Sequence, residues 1–203
     1  MRYRDCGVVM ASEIGVQNIQ HTNGTTALTI DSNGNVTFSN PLTDTGILKG
    51  VSEQTATGSS EVDFTGIPSG VNLIKFTGWN ISTSTTATVD IRLGDSGGFE
   101  TTGYARNSHY GTSGVTTGGS STSGDSWRNY AWTNAGNVYY FSGQMVHAGN
   151  NKWMMDARIF ISTNDAYWAT MAGFKELSSE LDRIRFFSTA GTFDSGSFRI
   201  MYA

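Results

Sequence analysis

Between Lys152 and Ile161 apolar and polar side chains alternate, with Trp153, Met155, Ala157, Ile159 and Ile161 on one parity and Lys152, Asp156 and Arg158 on the other. A two-residue period belongs to an extended strand with one covered face and does not fit a helix, whose period is 3.6. The pattern recurs. Ile74 and Phe76 oppose Lys75 and Thr77, Val89, Ile91 and Leu93 oppose Asp90 and Arg92, and Ile184 and Phe186 oppose Arg183 and Arg185. Near the end, Phe198, Ile200 and Tyr202 alternate with Arg199 and Met201. Val138–Val146 and Asp165–Ala172 read as further strands, and Gly149, Asn150 and Asn151 suit a hairpin between two of them. Between the last two strands, turn residues from Ser188 to Gly196 surround one aromatic expected to be buried, Phe193.

Roughly seven or eight short strands without helical periodicity predict an all-β fold, an antiparallel two-sheet sandwich of jelly-roll type. Composition agrees, because 25 Gly against 2 Pro and 15% charged residues suit many strands joined by tight turns. Cys6 is the single cysteine, so no intrachain disulfide and no thiolate metal site can form. A net charge of −4 argues against a nucleic-acid partner, which needs a basic stripe. Apolar runs fall far short of the roughly 20 residues of a membrane helix, and the start lacks a signal-peptide pattern, so membrane insertion is not expected.

The chain divides in two on this reading, with an N-terminal segment and linker over 1–58 and a head domain over 59–203. Ala27–Ile30 and Val36–Phe38 flank the cluster Asp31, Ser32, Asn33, Gly34 and Asn35, a hairpin signal. So thin a segment cannot cover its own apolar residues, which implies sister copies around an axis, another protein surface, or a flexible arm. Residues 41–60 read as a polar linker or neck.

Candidate chemistry is sparse. Gly94, Asp95, Ser96, Gly97 and Gly98 match the segment around the nucleophile of chymotrypsin-like serine proteases, but that mechanism needs a preceding His and Asp. Only His21 precedes Ser96, and Phe99 stands where those proteases have Pro. The motif is therefore read as a Gly-rich turn closed by the side chain of Asp95 or Ser96. Asp90, Asp95, Glu100, Asp125, Asp156 and Asp165 show no spacing that pairs two carboxylates across a sugar. His109 and His147 have no ligand-spaced partners, so neither a metal nor a cofactor is expected.

Gly111–Gly124, rich in Gly, Ser and Thr, reads as a long exposed loop flanked by His109, Tyr110, Trp127, Tyr130 and Trp132. Aromatics beside such a loop offer flat apolar faces with polar edges, suited to gripping sugars or surface polymers. For Trp127 and Trp132, ligand contact and plain packing are weighed equally. Trp79, Trp153 and Trp168 are expected in the core or a subunit interface.

Two ordered blocks resemble phage and prophage tail-fibre proteins over residues 60–203. One runs Asp63, Phe64, Thr65, Gly66, Ile67, Pro68, Ser69, Gly70, Val71, then Gly94–Gly98 and Glu100, Thr101, Thr102, Gly103, Tyr104. The other is Leu177, Ser178, Leu181, Asp182, Arg183, Ile184, Arg185, then Thr192, Phe193, Asp194, Ser195, Gly196 and a strand ending in Tyr202. The N-terminal segment is similar to that of marine-phage structural proteins, and Met10, Ala11 and Ser12 to a natural start in related chains, which sets residues 1–9 apart as an extension. The resemblance implies a non-catalytic virion subunit, made in the host cytoplasm and trimeric. Its N-terminal segment would meet other tail or capsid proteins, and its head would meet a host cell-surface glycan or protein. A capsid decoration or head-fibre protein is the alternative within that class, and a glycan depolymerase the alternative outside it.

Overall fold

The computed structural model of the chain describes residues 18–20, 24, 26–38, 48–50, 53–112, 115–129, 134–162 and 167–203. It forms two compact units, 1–46 and 47–203.

In the first unit β1 (Asn18–Gln20), β2 (Thr26–Ile30) and β3 (Val36–Phe38) make a three-stranded antiparallel sheet. The expected hairpin forms, with Leu28 opposite Phe38 and Ile30 opposite Val36. Asp31 organises its turn: Oδ1 accepts from the backbone N–H of Asn33 at 2.8 Å and of Asn35 at 2.9 Å, while Gly34 takes the left-handed φ of 82°. The side-chain hydrogen bond from Asn35 is the largest reason the Asp31 carboxyl lies below its usual range.

The second unit is all-β over its described residues. It comprises β4 (Lys49–Gly50), β5 (Gln54–Thr55), β6 (Glu61–Thr65), β7 (Leu73–Thr83), β8 (Val89–Asp95), β9 (Gly98–Phe99) and β10 (Tyr104–Thr112). There follow β11 (Val115–Gly124), β12 (Trp127–Arg128), β13 (Val138–His147), β14 (Lys152–Ser162), β15 (Tyr167–Glu176), β16 (Arg183–Ser188) and β17 (Phe193–Tyr202). Nine strands build the larger sheet, in the order β11-β10-β15-β14-β13-β7-β17, with β4 and β5 both on β17. Five build the smaller, β12-β8-β16-β6, with β9 on β8. All pairings are antiparallel, and four of them nest: β7 with β17, β8 with β16, β10 with β15, and β13 with β14. First pairs with last and second with penultimate, which is wrapping of jelly-roll type.

Apolar residues of alternate parity fill the space between the sheets. Phe186 of the small sheet stacks on Phe198 of the large one at 4.5 Å and 10°, with Phe76 at 5.5 Å from Phe186 and Phe193 at 5.5 Å from Phe198. Ile184, Ile200, Phe193 and Phe198 have no exposed surface, as their alternation predicts. Glycines open room for rings, since a Cβ on Gly143 would lie 2.3 Å from Phe76 Cζ.

Two expectations are corrected. Gly111–Gly124 is not a loop, because β11 pairs with β10 from Thr112 opposite Val115 to Tyr104 opposite Gly124. Weak strand formers suffice where one neighbour supplies the ladder, and small residues serve a purpose: a Cβ on Gly118 would meet His109 Nδ1 at 2.3 Å. The stretch read as a linker enters the sheet at its other end. Ala56 is buried, its N–H donates to Gly196 O at 2.9 Å, and Gly58 N–H donates to Phe193 O at 2.8 Å, so the compact unit begins ahead of the boundary expected at 58/59.

Candidate ligand-binding face

The large sheet has a second face, turned away from the core, and its apolar content exceeds what solvent alone would favour. On β14 the outward parity carries Lys152, Met154, Asp156, Arg158 and Phe160, so two large apolar groups sit among the charges. Trp79 is 68% exposed, Met154 60%, Phe174 59%, Phe160 50%, Trp168 49% and Val146 43%, all on outward positions of this one sheet. An exposed leucine-sized residue is ordinary, whereas six on one face make that face the candidate interaction surface.

Register arranges these residues in rows across the strands. The first row is aromatic: Trp79 on β7, Tyr140 on β13, Phe160 on β14 and Trp168 on β15. Trp79 and Tyr140 meet edge to face at 4.8 Å, Tyr140 and Phe160 lie 6.1 Å apart, and Phe160 is opposite Trp168. The second row is polar and runs Arg199, Thr77, Ser142, Arg158, Thr170 and His109. A third row holds Lys75, Gln144, Asp156, Ala172 and Asn107, and a fourth returns to apolar character with Val146, Met154 and Phe174. A shallow depression of about 510 Å³ opens between the first two rows, lined by Thr77, Trp79, Tyr140, Ser142, Arg158 and Phe160.

A pair of bulges presents Trp79. Alternation puts Ile74, Phe76 and Gly78 inward, after which Asn80 adopts a left-handed φ of 56° and restores Ile81 to the core. Gly196 on β17 faces this irregularity, where a Cβ would lie 2.5 Å from Asn80 O. Only glycine fits there, with its φ of 98°.

The residues expected to form a binding site separate in the structure. His109 is exposed in the polar row, opposite Thr170. Tyr110, one position along, has the other parity and packs against the core, so it leaves the candidate surface. Trp127 is fully buried, 5.6 Å from Tyr104 and edge to face with it, and it takes the room that Gly173 leaves on β15. Packing, not ligand contact, is its role. Tyr130 and Trp132 lie outside the described residues. Of the other tryptophans, Trp153 is core, while Trp79 and Trp168 are exposed and the core half of that expectation is corrected. Tyr140, Phe160, Met154 and Phe174 were not singled out from sequence, although apolar residues at the polar parity of β14 and β15 were a readable signal.

The remaining charged clusters are structural. Asp95 Oδ1 accepts from Gly97 N–H at 2.8 Å and Oδ2 from Ser178 Oγ at 2.6 Å, which closes the Gly-rich turn as expected. The Ser178 hydrogen bond is the main reason this carboxyl lies below its usual range. Burial pushes Asp90 up, opposed by hydrogen bonds from Ser126 at 2.6 Å and Thr88 at 2.8 Å and by the Arg128 guanidinium at 2.9 Å. Arg92, Arg106 and Arg128 converge on Asp125. Burial also acts upward on Glu100, but hydrogen bonds from Lys175 and Ser178 outweigh it and hold the carboxyl below its usual range. Among the described residues no cluster of His, Cys, Asp and Glu could hold a metal ion. No protein-family model matches the chain, and no curated protein or solved structure matches it either.

Proposed function

We propose that the chain is a structural protein of a phage virion, a tail-fibre or spike subunit that attaches the particle to a host surface without catalysis. The observation that carries this reading is the outward face of the large sheet, where exposed Trp79, Phe160 and Trp168 line up with half-buried Tyr140 in an aromatic row. Adhesion needs such a platform, and catalysis would need groups aimed at one reacting atom. The two blocks resembling tail-fibre proteins support the virion assignment. They fall on β6, on the turn after β8, and on β16 and β17, which carry the sandwich itself. Ile19 and Val36 are exposed in the small N-terminal sheet, which supports a homotrimer in which sister copies or a neighbouring virion protein cover that segment.

Gold-labelled antibodies against the purified chain test the reading on particles that carry it. Label at the distal tail is the expected result. Label over the shell would replace the reading with a capsid decoration protein, and unlabelled particles would overturn it. Light scattering on the purified chain is expected to give three copies, and a stable monomer would remove the trimer.

A further inference from the structure

The outward face is unbalanced in charge. Lys75, Arg158 and Arg199 lie in its two polar rows, and among the described residues no carboxylate forms an ion pair with any of them. The one acid in those rows, Asp156, accepts from Gln144 Nε2 at 3.1 Å. Elsewhere the unit pairs its cations closely: Arg185 Nε and Nη2 reach Asp63 at 2.7 Å each, and Arg183 Nε lies 2.6 Å from Asp182. In a chain of net charge −4, three cations without an ion pair among the described residues, against the single Asp156 in the same rows, are a local reversal of sign.

We infer that this face binds an acidic polysaccharide, seated in the depression between Trp79, Tyr140 and Phe160 on one side and Thr77, Ser142 and Arg158 on the other. The chemistry of each row selects the ligand. Pyranose rings present C–H faces that stack on aromatic side chains, and hydroxyls that Thr77 and Ser142 can meet. A planar guanidinium at Arg158 matches a sugar carboxylate through two parallel hydrogen bonds, and Arg199 and Lys75 extend the positive field along neighbouring strands. One ring per strand suits a linear polymer lying across the strands. A second copy packed face to face would set cations against cations, which disfavours self-association here. The inference deepens the attachment reading and rests on it for the bacterial source of the polymer.

The test is a printed array of purified bacterial capsular polysaccharides, acidic and neutral, with carboxyl-reduced forms of the acidic ones, probed with the full chain. Binding is expected to acidic members, to weaken with salt, and to be lost on carboxyl reduction. Arg158→Ala should weaken it by about tenfold or more, the loss expected for a charged hydrogen bond, with an unchanged melting curve. Arg158→Lys should restore part of it. Equal binding to the reduced polymers, tighter binding to an oligo-dT strand, or an unaffected Arg158→Ala would each overturn the inference. So would light scattering in which Phe160→Ser converts an oligomer to a monomer, because the face would then belong to sister copies. A silent array alongside gold label at the tail tips would defeat the ligand and leave the attachment reading standing.

Discussion

The two faces of β14 are built from interleaved residues of one strand, yet they obey different rules. Inward, Trp153, Met155, Ala157, Ile159 and Ile161 are all buried and uncharged. Outward, Met154 and Phe160 are at least half exposed among Lys152, Asp156 and Arg158. The inner face tolerates charge only when it is answered, as at Lys175 on β15, which is buried, bonded to Glu100 and 5.5 Å from the Tyr104 ring. On the outer face Arg158 is exposed and has no such answer among the described residues. Apolarity alone therefore does not distinguish core from surface here; the state of the neighbouring charges does.

The largest effect should come from breaking the inner face. Ile159→Asp would place a carboxylate in a position only 2% exposed, within the hydrophobic cluster between the sheets. The cost is several kcal/mol against a typical stability of about 5–15 kcal/mol, so the variant is expected to lose its cooperative thermal transition. A native-like melt would show that the inward face has been misjudged.

Next comes the answered charge. Glu100→Gln leaves the Lys175 ammonium buried without its counter-charge and should cost about 3 kcal/mol at neutral pH. The sign of its pH dependence follows from the lowered carboxyl of Glu100. The stabilisation it gives is complete above the ordinary 4.5 of a glutamate and fades as pH falls below that toward the depressed folded value. Wild type and variant should therefore differ most near neutrality and converge in acid. Denaturant titrations across that range measure it, and a gap that stays constant down to low pH would detach Glu100 from the stability of Lys175.

Period-two alternation made β14, β16 and β17 legible, because one covered face leaves a mark on every second residue. The β2–β3 hairpin was legible for another reason, the local chemistry of Asp31 and Gly34. β11 was not, since its Gly, Ser and Thr residues contribute backbone pairing and little side-chain packing. The short β4 and β5 were hidden likewise, their partner β17 lying more than a hundred residues away. Trp127 was ambiguous because β12 is two residues long and shows no alternation, and its burial depends on Gly173, a distant neighbour. The outer face was half legible. Met154 and Phe160 break the parity of β14 in plain view, but the separate rows to which they belong need register across neighbouring strands, and register is not a property of any one segment.

The smallest structural effect should come from the outer face, and that makes it the sharpest probe of the contrast. Phe160 is half exposed and has a ring neighbour in Tyr140 at 6.1 Å. Phe160→Ser thus forfeits the ring contact with Tyr140, the pairing opposite Trp168 and the burial of half a ring, at a cost of about 1 kcal/mol. Its melting temperature should stay within a few degrees of wild type, where Ile159→Asp, the adjacent residue, abolishes the transition. Removing a ring from the middle of the aromatic row should still impair adsorption to acidic polysaccharide, because the depression loses one wall. A large thermal loss in Phe160→Ser would mean that this face is structurally required, and the distinction between the two sides of β14 would collapse.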